Sequence, residues 1–207
     1  MLRLTTLALV VVLLPRHCMA QANPDSIKHR NDCRLAAQVL STGNPAPRYR
    51  WALEMAWHCP DAAPAIAQRL EASASSRDTA ALNALTAPTI QLRDGRIFAA
   101  AIRIAGDKAA SREARVFAIR TLIYAMRPGG GISYDALVNP NGSCFGGGPS
   151  FHQTTTPGAP LPSDYVQQVN ALGQRLMRDS SETPVVRLVG RCAAMAQELL
   201  LGRSQVR

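Results

Sequence analysis

Cys144 and His152 are a nucleophile and a base by residue type, and both lie in the stretch NGSCFGGGPSFHQTTTPGAP. A cysteine attacks as its thiolate, and a histidine beside it can take up the proton. Such a pair also needs a lowered thiol pKa and a third group to hold the imidazole. Neither a helix start nor a nearby acid is evident around Cys144, and in an oxidising compartment a cysteine of this kind ends in a disulfide. The loop therefore reads as tethered, with a small hydrolase-type site in 128–162 as the enzymatic alternative.

Glu54 and His58, in WALEMAWHCP, are one helical turn apart. They could act as an acid and a base or as two metal ligands. On a helical wheel Trp51, Ala52, Leu53, Met55, Ala56 and Trp57 cover about two thirds of the circumference. That leaves Glu54 and His58 as a polar edge facing water, where such a pair adds only a few tenths of a kcal/mol (about 0.2–0.5). A third constellation is Arg48, Arg50, Arg112, Arg115, Arg187 and Arg191. If the helices that carry them line one surface, they form a basic ridge suited to carboxylates, phosphates or an acidic protein. The bland alternative is solvated arginines paired with local acids such as Glu54 and Glu113.

The amino-terminal residues place these groups outside the cytosol. Met1–Arg3 is a short basic start, Leu4–Leu14 is apolar, and Cys18-Met19-Ala20 follows Pro15. The run is too short to span a bilayer and has the order of a cleaved signal, with cleavage expected after Ala20. Pro15-Arg16-His17 is the wrong approach to a lipidated Cys18. The expectation is a secreted or periplasmic protein with no transmembrane segment after cleavage. Cys33, Cys59, Cys144 and Cys192 then remain, an even number. Four cysteines allow three pairings, among which the sequence alone does not choose; neighbouring helices suggest Cys33 with Cys59 and Cys144 with Cys192. No C-x-x-C occurs, no cysteine is read at ligand spacing with a histidine, and His29 is read as part of a frayed end. Neither a metal nor a cofactor is expected.

The formal charge of +9 falls to +7 once Arg3 and Arg16 are removed, and Lys28 and Lys108 are the only lysines. A basic exported chain suits an acidic protein, anionic lipid or polysaccharide. Without a Lys/Arg cluster or interleaved aromatics it does not read as a nucleic-acid binder. Asn141-Gly142-Ser143 matches a glycosylation acceptor, which matters only in a eukaryotic secretory pathway. No G-x-S-x-G, H-E-x-x-H, P-loop or dinucleotide fingerprint is present, which points away from catalysis.

Strand alternation is scarce and helix signals recur. The expected helices run from Asp32 to Ser41, Pro47 to His58, Ala62 to Ala72, Arg77 to Leu85 and Arg93 to Ala105. Ser111 caps the next, Arg112–Arg127, with Glu113 and Arg127 at the ends where the helix dipole favours them. After the loop, helices are expected from Ser163-Asp164 to Arg178 and from Thr183-Pro184 to Leu201. The segment 128–162 holds eight of the fourteen glycines and six of the fourteen prolines. A connection of that length is either functional or poorly ordered.

REARVFAIRTLIYAM resembles the second helix of a HEAT-like repeat, with an arginine after the turn and apolar residues at i, i+4 and i+7. PRYRWALEMAWHC and TPVVRLVGRCAAM are looser versions of the same pattern. The resemblance covers about two thirds of the chain after residue 20 and implies a short right-handed stack of helical hairpins. The expected architecture is thus all-α: a signal peptide over 1–20, then a single repeat-like domain over 21–207. That domain is a short α-solenoid or an irregular helical bundle with one long Gly/Pro-rich loop. The expected role is that of an exported binding or scaffold protein of the cell envelope.

Overall fold

A computed structural model describes residues 24–42, 47–56, 58–126 and 161–195. Among the described residues the chain is all-α, without strands. The helices are α1 (Pro24–Thr42), α2 (Pro47–Ala56), α3 (Ala63–Ala72), α4 (Thr79–Ala84), α5 (Thr86–Leu92), α6 (Gly95–Gly106), α7 (Arg112–Met126), α8 (Tyr165–Arg178) and α9 (Pro184–Ala194). A 3-10 turn, Pro60–Ala62, leads into α3.

Proline marks many of the starts. Pro24, Pro47 and Pro184 stand at first positions and Pro64 at the second of α3, where a missing N–H costs nothing and the ring presets φ. The helix expected to stop at Leu85 does stop there, and a further helix that was not expected, Thr86–Leu92, follows it. One helix through residues 77–92 would need a Pro88 N–H to meet the Ala84 carbonyl. The chain instead ends α4 at Ala84 and starts α5 at Thr86, keeping Pro88 in a first turn. Asp78 caps α4, accepting from the Ala80 and Ala81 N–H groups at 2.9 and 3.1 Å.

Several expected starts move, and the helix placed at Arg77 opens at Thr79. Asp32 does not cap α1 but lies inside it, because the helix reaches back to Pro24. The sixth helix opens at Gly95 rather than Arg93: Arg93 is left-handed (φ 48°), and Asp94 is the cap, accepting from the Arg96 N–H at 2.8 Å. The Arg96 guanidinium returns to the same carboxylate, which its hydrogen bonds hold below the usual aspartate range. Ser111 and Thr183 cap as expected, Ser111 Oγ accepting from the Ala114 N–H at 3.0 Å and Thr183 Oγ1 from Val186 at 3.4 Å.

Ser111 does more than cap. Its N–H donates to the Ala74 carbonyl at 2.8 Å and its hydroxyl donates to the Ser76 carbonyl, tying α7 to the turn after α3. Ser111→Ala removes the cap and that tie together. It is expected to cost about 1–2 kcal/mol in a urea unfolding experiment, the upper half of the range for cap removal.

The core is organised around α7. Ala114, Arg115 and every residue from Phe117 to Met126 are buried, because α7 is contacted by α4, α5, α6, α8 and α9. A helix buried on nearly every side carries apolar residues around its circumference rather than on one stripe. Away from it α1 pairs with α2, α3 packs on α1 and α6, and α8 pairs with α9. Tyr165 joins α8 to the centre: its hydroxyl donates to the Leu122 carbonyl at 2.6 Å and its ring lies 4.3 Å from that of Phe98. Burial pushes this phenol well above the ordinary tyrosine range, so it acts as a neutral donor.

Candidate functional site

The six arginines fall in pairs on three helices. Arg48 and Arg50 are on α2, which packs against α1 and α5; Arg112 and Arg115 are on α7, and Arg187 and Arg191 on α9, which packs against α7 and α8. Three of the six are taken up by acids. Arg50 meets Glu54 at 3.3 Å, and Arg112 meets its neighbour Glu113, whose carboxyl is held below the usual range by its own backbone N–H and by Arg112. Glu54 therefore serves Arg50, one turn earlier, rather than His58. The helix ends at Ala56, which leaves His58 exposed in the turn beyond it.

Arg115 is a correction to the expected ridge. It is buried, and its guanidinium makes a two-pronged pair with Glu182 at 2.6 and 2.7 Å while its Nε donates to the Ala105 carbonyl at 3.1 Å. Side-chain exposure is 6% for Arg115 and 4% for Glu182, so no external carboxylate can reach this cation. The reason is topological. The residue that would face solvent on an isolated amphipathic helix lies on α7, where the turn between α8 and α9 closes over it. Beside it, Lys108 pairs with Asp179 at 2.7 Å and donates to Ser181 Oγ at 2.6 Å; the Lys108 ammonium, with the Ser181 hydroxyl and N–H that donate to the same carboxylate, holds Asp179 well below the usual range.

Arg48, Arg187 and Arg191 are exposed and have no ion pair among the described residues. Arg187 and Arg191 are one turn apart on the outer face of α9, whose inner face buries Val186, Val189, Gly190 and Ala193. The acids on the turn that precedes α9, Asp179 and Glu182, are already neutralised by Lys108 and Arg115; Glu198 lies outside the described residues. The outer face of α9 is thus a pair of guanidinium groups without a carboxylate partner among the described residues. Chemically it can hold a carboxylate or a phosphate in bidentate fashion.

The cysteines supply a second constellation. Cys33 and Cys59 form a disulfide with Cα atoms 5.3 Å apart, as the adjacency of their helices suggested. It ties α1 to the turn before α3 and closes a loop of sequence separation 26, worth about 3–4 kcal/mol in chain entropy. His29 is not in a frayed end: it lies in α1, one turn before Cys33, and its Nε2 is 3.6 Å from Cys33 Sγ. The expectation that no cysteine has a histidine at ligand spacing is therefore overturned. H-x-x-x-C on a helix puts both side chains on one face, a signal legible in the sequence once the helix is known to start at Pro24. Cys192 is buried and disulfide-bonded. Its expected partner, Cys144, lies outside the described residues, as do His152, Asn141, Trp57 and the signal-like segment 1–20.

Among the described residues no helix is long and apolar enough to cross a membrane, and the disulfides are compatible with an oxidising compartment. Comparison with protein-family models, with curated proteins and with solved structures yields no match to this chain.

Proposed function

We propose that the protein is an exported helical scaffold that binds an acidic partner protein, and that the outer face of α9 is the docking surface. The carrying observation is the contrast among the arginines. Those on α7 and Arg50 are satisfied by Glu113, Glu182 and Glu54, whereas Arg187 and Arg191 stand exposed, one turn apart, without a carboxylate among the described residues. Surface arginines of a basic chain that serve solubility alone gain from local acids; two left unneutralised on a rigid helix are preorganised for an anion from outside. The pairing of α9 with α8 and α7 supplies that rigidity. Export accounts for the signal-like amino terminus and for the disulfides.

The test is co-purification of the oxidised protein from its own source, comparing the natural sequence with Arg187→Glu/Arg191→Glu. Charge reversal of exposed residues leaves the fold intact and is expected to abolish retention of the partner. Retention by the natural sequence is expected to fall steeply with added salt, since the contacts are exposed. Equal retention by the two forms would remove α9 from the interface. Retention on anionic vesicles or acidic polysaccharide, in place of a protein, would assign the same arginines to a different ligand.

A further inference from the structure

Three atoms of the kind that bind thiophilic metals meet between α1 and the turn before α3. Nε2 of His29 and the Sγ atoms of Cys33 and Cys59 all lie within 4.8 Å of one another. We propose that the Cys33–Cys59 disulfide is a redox-gated metal site: once it is reduced, His29, Cys33 and Cys59 bind one thiophilic divalent cation of the Zn2+ class, with the fourth position open to water or an external ligand. The site is separate from the arginines of α9.

The geometry needs little adjustment. A tetrahedral centre with metal–sulfur bonds of about 2.3 Å and a metal–nitrogen bond of about 2.0–2.1 Å sets sulfur and nitrogen about 3.5 Å apart and the two sulfurs about 3.8 Å apart. His29 and Cys33 already stand at 3.6 Å. The sulfurs must separate from their bonded distance, and side-chain rotation supplies this once the bond is cut, with the Cα atoms staying 5.3 Å apart. Neighbouring elements hold the ligands in place: α1 carries His29 and Cys33, and Cys59 leads the 3-10 turn into α3.

Burial gives the reduced site a reason to take a cation. Cys59 is fully buried and Cys33 is 6% exposed, so two thiolates here would be charged groups out of water, a state a divalent cation neutralises. His29 is exposed and lies at the mouth, which provides the entry path. In the reducing step an external dithiol attacks the disulfide. The Cys33–Cys59 bond breaks, both cysteines take a proton, and the dithiol closes to its own disulfide. The incoming M2+ displaces those two protons, and the neutral His29 ring donates the lone pair of Nε2.

The experiment reduces the full chain under anaerobic conditions, removes the reductant, and titrates with Cd2+ and then with Zn2+ against a chromophoric chelator. A thiolate-to-Cd2+ charge-transfer absorption saturating at one equivalent is expected. His29→Ala retains both cysteines and is expected to weaken Zn2+ binding by at least about tenfold, since even an outer-shell partner is worth that much. Absence of a stoichiometric band in the reduced protein would overturn the proposal. Unchanged affinity in His29→Ala would overturn it too, because the metal would then sit on other thiols, such as that freed at Cys192. If reduction loosens the helices, adding Zn2+ is expected to restore the far-ultraviolet circular dichroism. Failure of the metal to restore it counts against the site.

Discussion

Gly173→Ala is expected to lose at least about 3 kcal/mol of stability, the upper end of what overpacking a core costs. A β-carbon on Gly173 would collide with the Ala194 amide nitrogen and stand 2.6 Å from the Gly190 carbonyl oxygen and 2.7 Å from the Ala193 carbonyl carbon. All three are backbone atoms of α9 and its end, so no side chain can swing aside; the helices themselves must part. The reciprocal glycine shows the same contact from the other side, a β-carbon on Gly190 lying 2.8 Å from Leu176 Cβ and 3.3 Å from the Gly173 carbonyl oxygen. The pairing of α8 with α9 thus rests on two glycines that let the backbones touch. Separating them would expose Val169, Leu172, Val186 and Val189 and weaken the bond from the Asn170 side chain to the Ala194 carbonyl. Urea unfolding measures the loss. Gly95→Ala is the control: nothing lies within 4 Å of its β-carbon, and stiffening the unfolded chain is expected to raise stability by about 0.4–1 kcal/mol. Equal effects at both positions would show that the close approach of α8 and α9 is wrong.

Glu182→Ala is expected to cost about 3–5 kcal/mol, because it leaves the Arg115 guanidinium buried without its counter-charge. Among the described residues Arg115 would keep the Ala105 carbonyl alone. Replacing both partners, as Arg115→Met/Glu182→Leu, removes the stranded charge and is expected to restore most of the loss. A double-mutant cycle separates the pair from the cost of stranding one member. The same pair has an acid signature. The hydrogen bonds from Arg115 hold the Glu182 carboxyl below the usual glutamate range. Its folded pKa is therefore lower than its unfolded one, so the pair stabilises in full above the ordinary glutamate pKa of about 4.3 and is lost as pH falls through the folded value. Stability measured between neutral and strongly acid pH should drop across that window. Glu182→Gln, which cannot ionise, should flatten the drop.

These two effects mark where local reading stops. Helices, their starts and the all-α class were legible because their causes lie within a few residues: Ser111 bonding Ala114, Thr183 before Pro184, prolines at first positions. Where a start was misplaced, another local cause decided it. Asp94 in place of Arg93 is visible in the sequence once capping is weighed against periodicity, and the helix Thr86–Leu92, which was not expected, carries Pro88 in its first turn, where the missing N–H does no harm. His29 beside Cys33 was legible too, at a spacing of four on a helix, and was hidden only by reading the segment as frayed.

The rest depended on residues far apart in the chain. Arg115 has the pattern of a solvent-facing arginine and an acid two residues before it, yet it is buried because Glu182, 67 residues on, closes over it. The low apolar contrast around α7 does not say that five other helices surround it. Gly173 and Gly190 read as weak points in helices until α8 and α9 are seen to meet there. Local hydrogen bonding and steric rules act over one turn and determined the elements of this protein. Which charges are buried, which arginines remain for a partner and which sulfurs share a histidine follow from the packing of those elements, which only the tertiary structure decided.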